Sequence, residues 1–141
     1  MKKTILSSIF ILIVSIASSQ TIVGKWKTID DETGKAKSIV EIFQKGNEYY
    51  GKIVKLFREP NEVQDPICDK CEDDRKGKKI IGLEIIRGLK KNVNEYKGGT
   101  IMDPKKGSTY DAKLWLEGET LKVRGYIMFM YRTQTWHKVK E

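Results

Sequence analysis

From residue 24 onward, short runs rich in Ile, Val, Tyr, Trp and Thr recur, punctuated by glycine and aspartate, and no convincing long amphipathic helix interrupts them. Alternation of apolar and polar residues with period two puts successive side chains on opposite faces of a strand. The pattern predicts eight strands: Gly24–Ile29, Lys37–Phe43, Glu48–Phe57, Ile81–Leu89, Asn94–Ile101, Ser108–Leu116, Leu121–Phe129 and Tyr131–Val139. Ile81, Ile85 and Leu89 also fall at helical spacing, but Gly82 and Gly88 tip that run toward a strand. Turn chemistry supports the division. Asp103-Pro104-Lys105-Lys106-Gly107 fixes one φ with proline and ends on a residue that tolerates positive φ, and Glu117-Gly118 and Lys45-Gly46-Asn47 act alike.

Strands joined in sequence order form a meander, which exposes two edges unless it closes on itself. The expected fold is therefore all-β, a single antiparallel up-and-down barrel of about eight strands. Such a barrel has an interior just wide enough for side chains or for one small ligand. The long segment from Arg58 to Lys79 carries both cysteines, two of the three prolines and an acidic cluster. Loops of that length are functional or disordered.

The N-terminus reads differently. Lys2 and Lys3 precede an apolar run from Ile5 to Ile16, which ends in the small residues Ala17, Ser18 and Ser19. This is the layout of a cleavable secretory signal, about a dozen apolar residues where a membrane-spanning helix needs roughly 20. Residues 1–19 are expected to be removed, leaving residues 20–141 as one exported barrel domain, periplasmic or secreted, with no transmembrane segment. Removal of the two lysines lowers the formal charge from +8 to +6. The basic residues are scattered among nineteen acids, which describes a charged soluble surface rather than a nucleic-acid site.

Cys68-Asp69-Lys70-Cys71 is the one constellation with evident chemistry. In an oxidising compartment, two neighbouring cysteines and no others most simply form a disulfide. Asp69, Glu72, Asp73 and Asp74 would raise the thiol pKa and disfavour a nucleophilic pair. Zinc would find only these two cysteines and His137, and calcium would find acids without the spacing of an EF-hand loop. Covalent haem would require histidine where Glu72 stands. No phosphate loop or serine elbow appears, so neither a cofactor nor a catalytic residue is expected.

Several motifs together carry a family likeness: Gly24-Lys25-Trp26, Tyr50-Gly51-Lys52-Ile53, Gly82-Leu83-Glu84-Ile85-Ile86, the run Gly98 to Pro104, Gly107-Ser108-Thr109-Tyr110, Leu121 to Tyr126 and Thr133-Gln134-Thr135-Trp136. In this order and spacing the chain resembles the exported bacterial family called domain of unknown function 2147. The resemblance implies a lipocalin-like barrel of the cell envelope and brings no established activity. It departs from the family at the loop after the third strand, where many members have an Asp and an Asn-Pro and this chain has Asp65-Pro66-Ile67-Cys68-Asp69-Lys70-Cys71.

Within such a barrel, alternation groups Arg132, Gln134 and Trp136 on one face of the last strand, and Lys122, Arg124 and Tyr126 on one face of its neighbour. Either set, turned inward, would supply aromatic walls and a cation for an anionic head group. The candidate pocket residues are Trp26, Arg124, Tyr126, Arg132, Gln134 and Trp136. The competing expectation is a barrel filled with side chains, with Arg132 stacked on Trp26. Three functions follow in order: a module binding a small amphipathic or anionic ligand, a structural or interaction protein of the envelope, and metal or thiol chemistry at Cys68 and Cys71.

Overall fold

A computed structural model describes residues 9–14 and 20–140. Most of the expected signal segment, residues 1–8 and 15–19, lies outside the described residues. The rest forms β1 (Gly24–Ile29), β2 (Ala36–Lys45), β3 (Glu48–Leu56), β4 (Glu84–Asn92), β5 (Glu95–Asp103), β6 (Ser108–Glu117), β7 (Thr120–Ile127) and β8 (Met130–Lys138). Each strand pairs antiparallel with the next, and β8 returns to β1 through Trp26↔Lys138 and Lys27↔His137, closing the barrel. Closure leaves no unpaired edge to solvate or protect.

Several predicted boundaries shift by one to three residues, and two of the shifts have a visible cause. The run expected to be a strand from Ile81 begins only at Glu84, after Gly82 with its φ of 94°. Gly82 and Leu83 instead bond back to the Ile53 backbone, and β4 continues through its charged residues to Asn92. The boundary expected at Met130 lies at Met128-Phe129, since Ile127 pairs with Met130. Neither residue carries a turn signal, so the sequence pattern runs through it.

The barrel is asymmetric along its axis. At one end β2–β3, β4–β5 and β6–β7 are joined by two-residue turns, and the interior is filled. Ile22, Trp26, Ile42, Leu89, Leu114 and Leu121 are buried there, and Tyr49 meets Tyr96 edge to face at 4.8 Å. At the other end lie residues 30–35, the long loop 57–83, the turn after Asp103 and the β7–β8 hairpin. The site is at that end.

Candidate functional site

Above the packed half, the strands enclose a cavity of about 730 Å³ that opens at the end bearing the long loops. Its base is marked by Thr28 on β1 and Ser38 on β2, paired residues whose hydroxyls share a 2.6 Å hydrogen bond. That bond satisfies two buried polar groups that would otherwise each cost about 1–3 kcal/mol. Ile53, Ile101, Tyr110, Val123 and Trp136 make most of the wall apolar, and Gly125 leaves room where a side chain would stand.

The cross-strand register decides which late-strand residues face this space. Leu121↔Trp136, Val123↔Gln134 and Gly125↔Arg132 share the inner face, and all but Leu121, which lies in the packed half, line the cavity. Arg132, Gln134 and Trp136 are thus brought together. The Trp136 indole donates to Gln134 Oε1 at 3.0 Å, the Gln134 amide donates to Asp31 Oδ2 at 2.8 Å, and Arg132 Nη2 lies 2.9 Å from the same oxygen. This chain of contacts runs from wall to mouth and holds the amide in one orientation.

Arg124 and Tyr126 stand on the opposite face and do not line the cavity. The Arg124 guanidinium lies 4.9 Å from the Trp115 ring centroid and 4.4 Å from that of Tyr131, and its Nε donates to Thr133 Oγ1 at 2.6 Å. Tyr126 packs against Tyr131. Trp26 is 2% exposed in the filled half, its indole donating to the Ile22 carbonyl at 2.8 Å. Arg132 does not cover it: β8 meets Trp26 at Lys138, whereas Arg132 reaches Asp31 at the mouth. The expected Arg132–Trp26 stack is therefore replaced by a rim ion pair. His137 is exposed on the outer face of β8.

Cys68 and Cys71 form a disulfide. It is buried, with Cys71 Sγ 3.7 Å from Met102 Sδ, and Cys68 Sγ close to the Pro104 carbonyl. Ile101 faces the cavity, so Met102, the next residue, points the other way and is covered by the cysteine loop. The 57–83 loop is itself ordered by backbone bonds from Cys68 to Lys78, Gly77 to Cys68 and Ile80 to Pro66. Buried Arg75 chelates Asp73 and donates to the Glu84 carbonyl, tying the loop to β4. These bonds, the Arg75 side chain first, hold the Asp73 carboxyl down to about 2. Arg87 on β4 makes a twofold contact with Asp74, which keeps its guanidinium charged. A methyl group on Gly107 would collide with the Lys70 carbonyl, so the β5–β6 turn accepts the loop only because that residue is glycine. Phe57, Pro66, Ile67 and Ile80 of this loop extend the cavity wall outward. Among the described residues no group of three His, Cys, Asp or Glu side chains is placed to hold a metal ion.

The sequence reading missed Thr28, Ser38, Ile101, Tyr110 and Gly125. The first two carried a signal, because they fall at the alternation of Trp26 and Val40.

Residues 24–138 match the model of a family described as an uncharacterized protein conserved in bacteria, DUF2147. Among solved structures, HP1028 of the human pathogen Helicobacter pylori, described as belonging to the lipocalin family, superposes with a TM-score of 0.73 at 18% identity, over 87% of this chain and 86% of that one. No curated protein matches the sequence.

Proposed function

The chain belongs to the DUF2147 family, and from that premise we propose that its lipocalin-like barrel binds a small amphipathic or anionic ligand in the open half, as an exported protein whose residues 1–19 are a removed signal. The cavity carries this reading: about 730 Å³, with apolar walls below a charged mouth, is the form of a small-molecule site. A barrel filled to both ends would offer no such volume. Six cations and five carboxylates line the cavity and its mouth, and they are unevenly placed. Lys35, Lys37, Lys105, Lys106 and Arg132 lie on the β1–β2, β5–β6 and β8 side, while Arg58, Glu59, Glu62 and Asp69 belong to the 57–83 loop, where Arg58 pairs with Glu62. Asp30 and Asp103 on the basic side accept bonds from their own turns. An acyl chain in the well would therefore carry its anionic head toward the lysines. The buried disulfide and the lack, among described residues, of a helix long and apolar enough to span a membrane accord with export.

Titration with dodecanoate tests the proposal through Trp136, the indole on the cavity wall. Saturable quenching is expected, abolished by Trp136→Phe and weakened several-fold by Arg132→Ala. Gly125→Leu should block it while the domain stays folded, since a Cβ at Gly125 makes ordinary contacts of 3.4 Å with Tyr110 and 3.6 Å with Ile101. Dodecyltrimethylammonium should bind less well. Unsaturable quenching, or quenching indifferent to Gly125→Leu, would remove the site.

A further inference from the structure

The β7–β8 hairpin is built on turn residues unlike those of the other tight turns. Its two central residues are Met128 and Phe129, Met128 has a φ of 51°, and the turn joins Ile127 directly to Met130. Two-residue hairpins of this hand favour glycine or asparagine at such positions, and a larger side chain held there is strained. Gly46-Asn47 and Gly118-Glu119 obey the preference. Val93 departs from it too, but as a single apolar residue beside Asn92 and Asn94. At the β7–β8 tip, Ile127 through Tyr131 are all exposed, Met128 at 91% and Phe129 at 100%. Five consecutive exposed apolar residues on a strained turn are costly for a soluble surface, and a contiguous patch of this kind marks an interaction site.

Its surroundings indicate the partner. The hairpin stands at the open end between the β1–β2 loop and the β5–β6 turn, which carry the exposed pairs Lys35 with Lys37 and Lys105 with Lys106. Arg124 lies at its base. Of the acids on this side, Asp30 and Asp103 accept bonds in their own turns and Asp31 meets Arg132 and Gln134, while Glu32 and Asp111 are exposed. The 57–83 loop springs from β3 and β4, the strands farthest around the ring from β7 and β8, and its cysteine segment reaches round to pack on the β5–β6 turn. An apolar tip with exposed lysines on the connections to either side is the arrangement that inserts into an anionic bilayer while its cations meet the head groups.

We propose that Ile127–Tyr131 is a membrane-docking tip that seats the open end of the barrel on an anionic lipid surface, with Met128 and Phe129 entering the acyl boundary and the four lysines contacting phosphate. The cavity mouth would then face the bilayer. Docking does not require that the cavity hold a ligand, so the two readings fail separately.

The test is co-sedimentation of the mature protein with vesicles of equal phosphatidylglycerol and phosphatidylcholine, and with vesicles of phosphatidylcholine alone. Binding to the anionic vesicles is expected to be at least tenfold stronger, and to fall with added salt. Met128→Gly with Phe129→Asn, which copies the turn at 46–47, should lower it at least tenfold while leaving circular dichroism and dodecanoate quenching unchanged. Lys105→Glu with Lys106→Glu should weaken only the anionic binding. Absent wild-type binding, equal binding to both vesicle types, or equal binding by wild type and the double tip variant would overturn the proposal. So would a wild-type dimer, seen by sedimentation, that the tip variant abolishes, because the tip would then be a contact between copies of this chain.

Discussion

Trp26 and Trp136 belong to paired strands and each is 2% exposed, yet they inhabit different surroundings. Trp26 is buried with Ile22 and Ile42 in the core of the half where three two-residue turns join the strands, its indole bonded to the Ile22 carbonyl. Trp136 forms one wall of a cavity of about 730 Å³, at the end where long connections hold the mouth apart. The same eight strands supply both halves. Side chains interdigitate at one end, whereas connections, a glycine and small hydroxyl side chains leave the interior unfilled at the other.

The sharpest way to break this contrast is to delete an aromatic from the packed half. Trp26→Ala should cost about 3–5 kcal/mol, the sum of lost transfer energy and a new cavity, as read from urea denaturation. A loss below about 1 kcal/mol would mean that the closed end is not the stabilising half.

The disulfide comes next. Replacing Cys68 and Cys71 with alanine should cost about 2 kcal/mol, because closing so short a loop removes little unfolded-chain entropy. Faster amide exchange should appear at Cys68, Gly77 and Ile80, whose N–H groups are bonded within the loop, while Trp26 and its neighbours keep their protection. Global unfolding would instead make the loop part of the core.

A cavity-wall residue should matter less than a packed one. Ile101→Ala is expected to cost about 1–2 kcal/mol, since the deleted atoms border space that already exists and the cavity contribution of a packed site is largely missing. Equal losses at Ile101 and Trp26 would erase the distinction between the halves.

The smallest effect concerns acid. Asp73 is held to about 2 by Arg75, below the usual carboxylate value. A depressed folded pKa contributes stability that is present above the unfolded value near 3.9 and is lost as pH falls toward 2. Asp73 is about half exposed, so solvent screening keeps the contribution below about 1 kcal/mol. Exchange in the 57–83 loop should therefore quicken between about pH 4 and pH 2 in wild type, and Asp73→Asn should flatten that change.

Strand number, order and the three glycine- or proline-marked turns were legible because period-two alternation and turn chemistry are local properties of the chain. Alternation also grouped Arg132 with Gln134 and Trp136, and Lys122 with Arg124 and Tyr126. It could not by itself say which group turns inward, although Leu121 and Val123 on the other face of β7 pointed the answer. The Met128-Phe129 turn was illegible for the opposite reason: its residues contradict the local rule, and the φ of 51° at Met128 goes with the Ile127↔Met130 pairing.

The sequence by itself determined that this is an eight-stranded meander with paired cysteines beside one long loop. Only the tertiary structure decided that the register Val123↔Gln134 and Gly125↔Arg132 turns those pairs toward one cavity, and that Arg132 meets Asp31 rather than Trp26. It alone decided that the interior is full at one end and open at the other. The physical reason is that alternation specifies the parity of each strand, whereas the direction of that parity and the volume left inside follow from how all eight strands close and from what their connections can span.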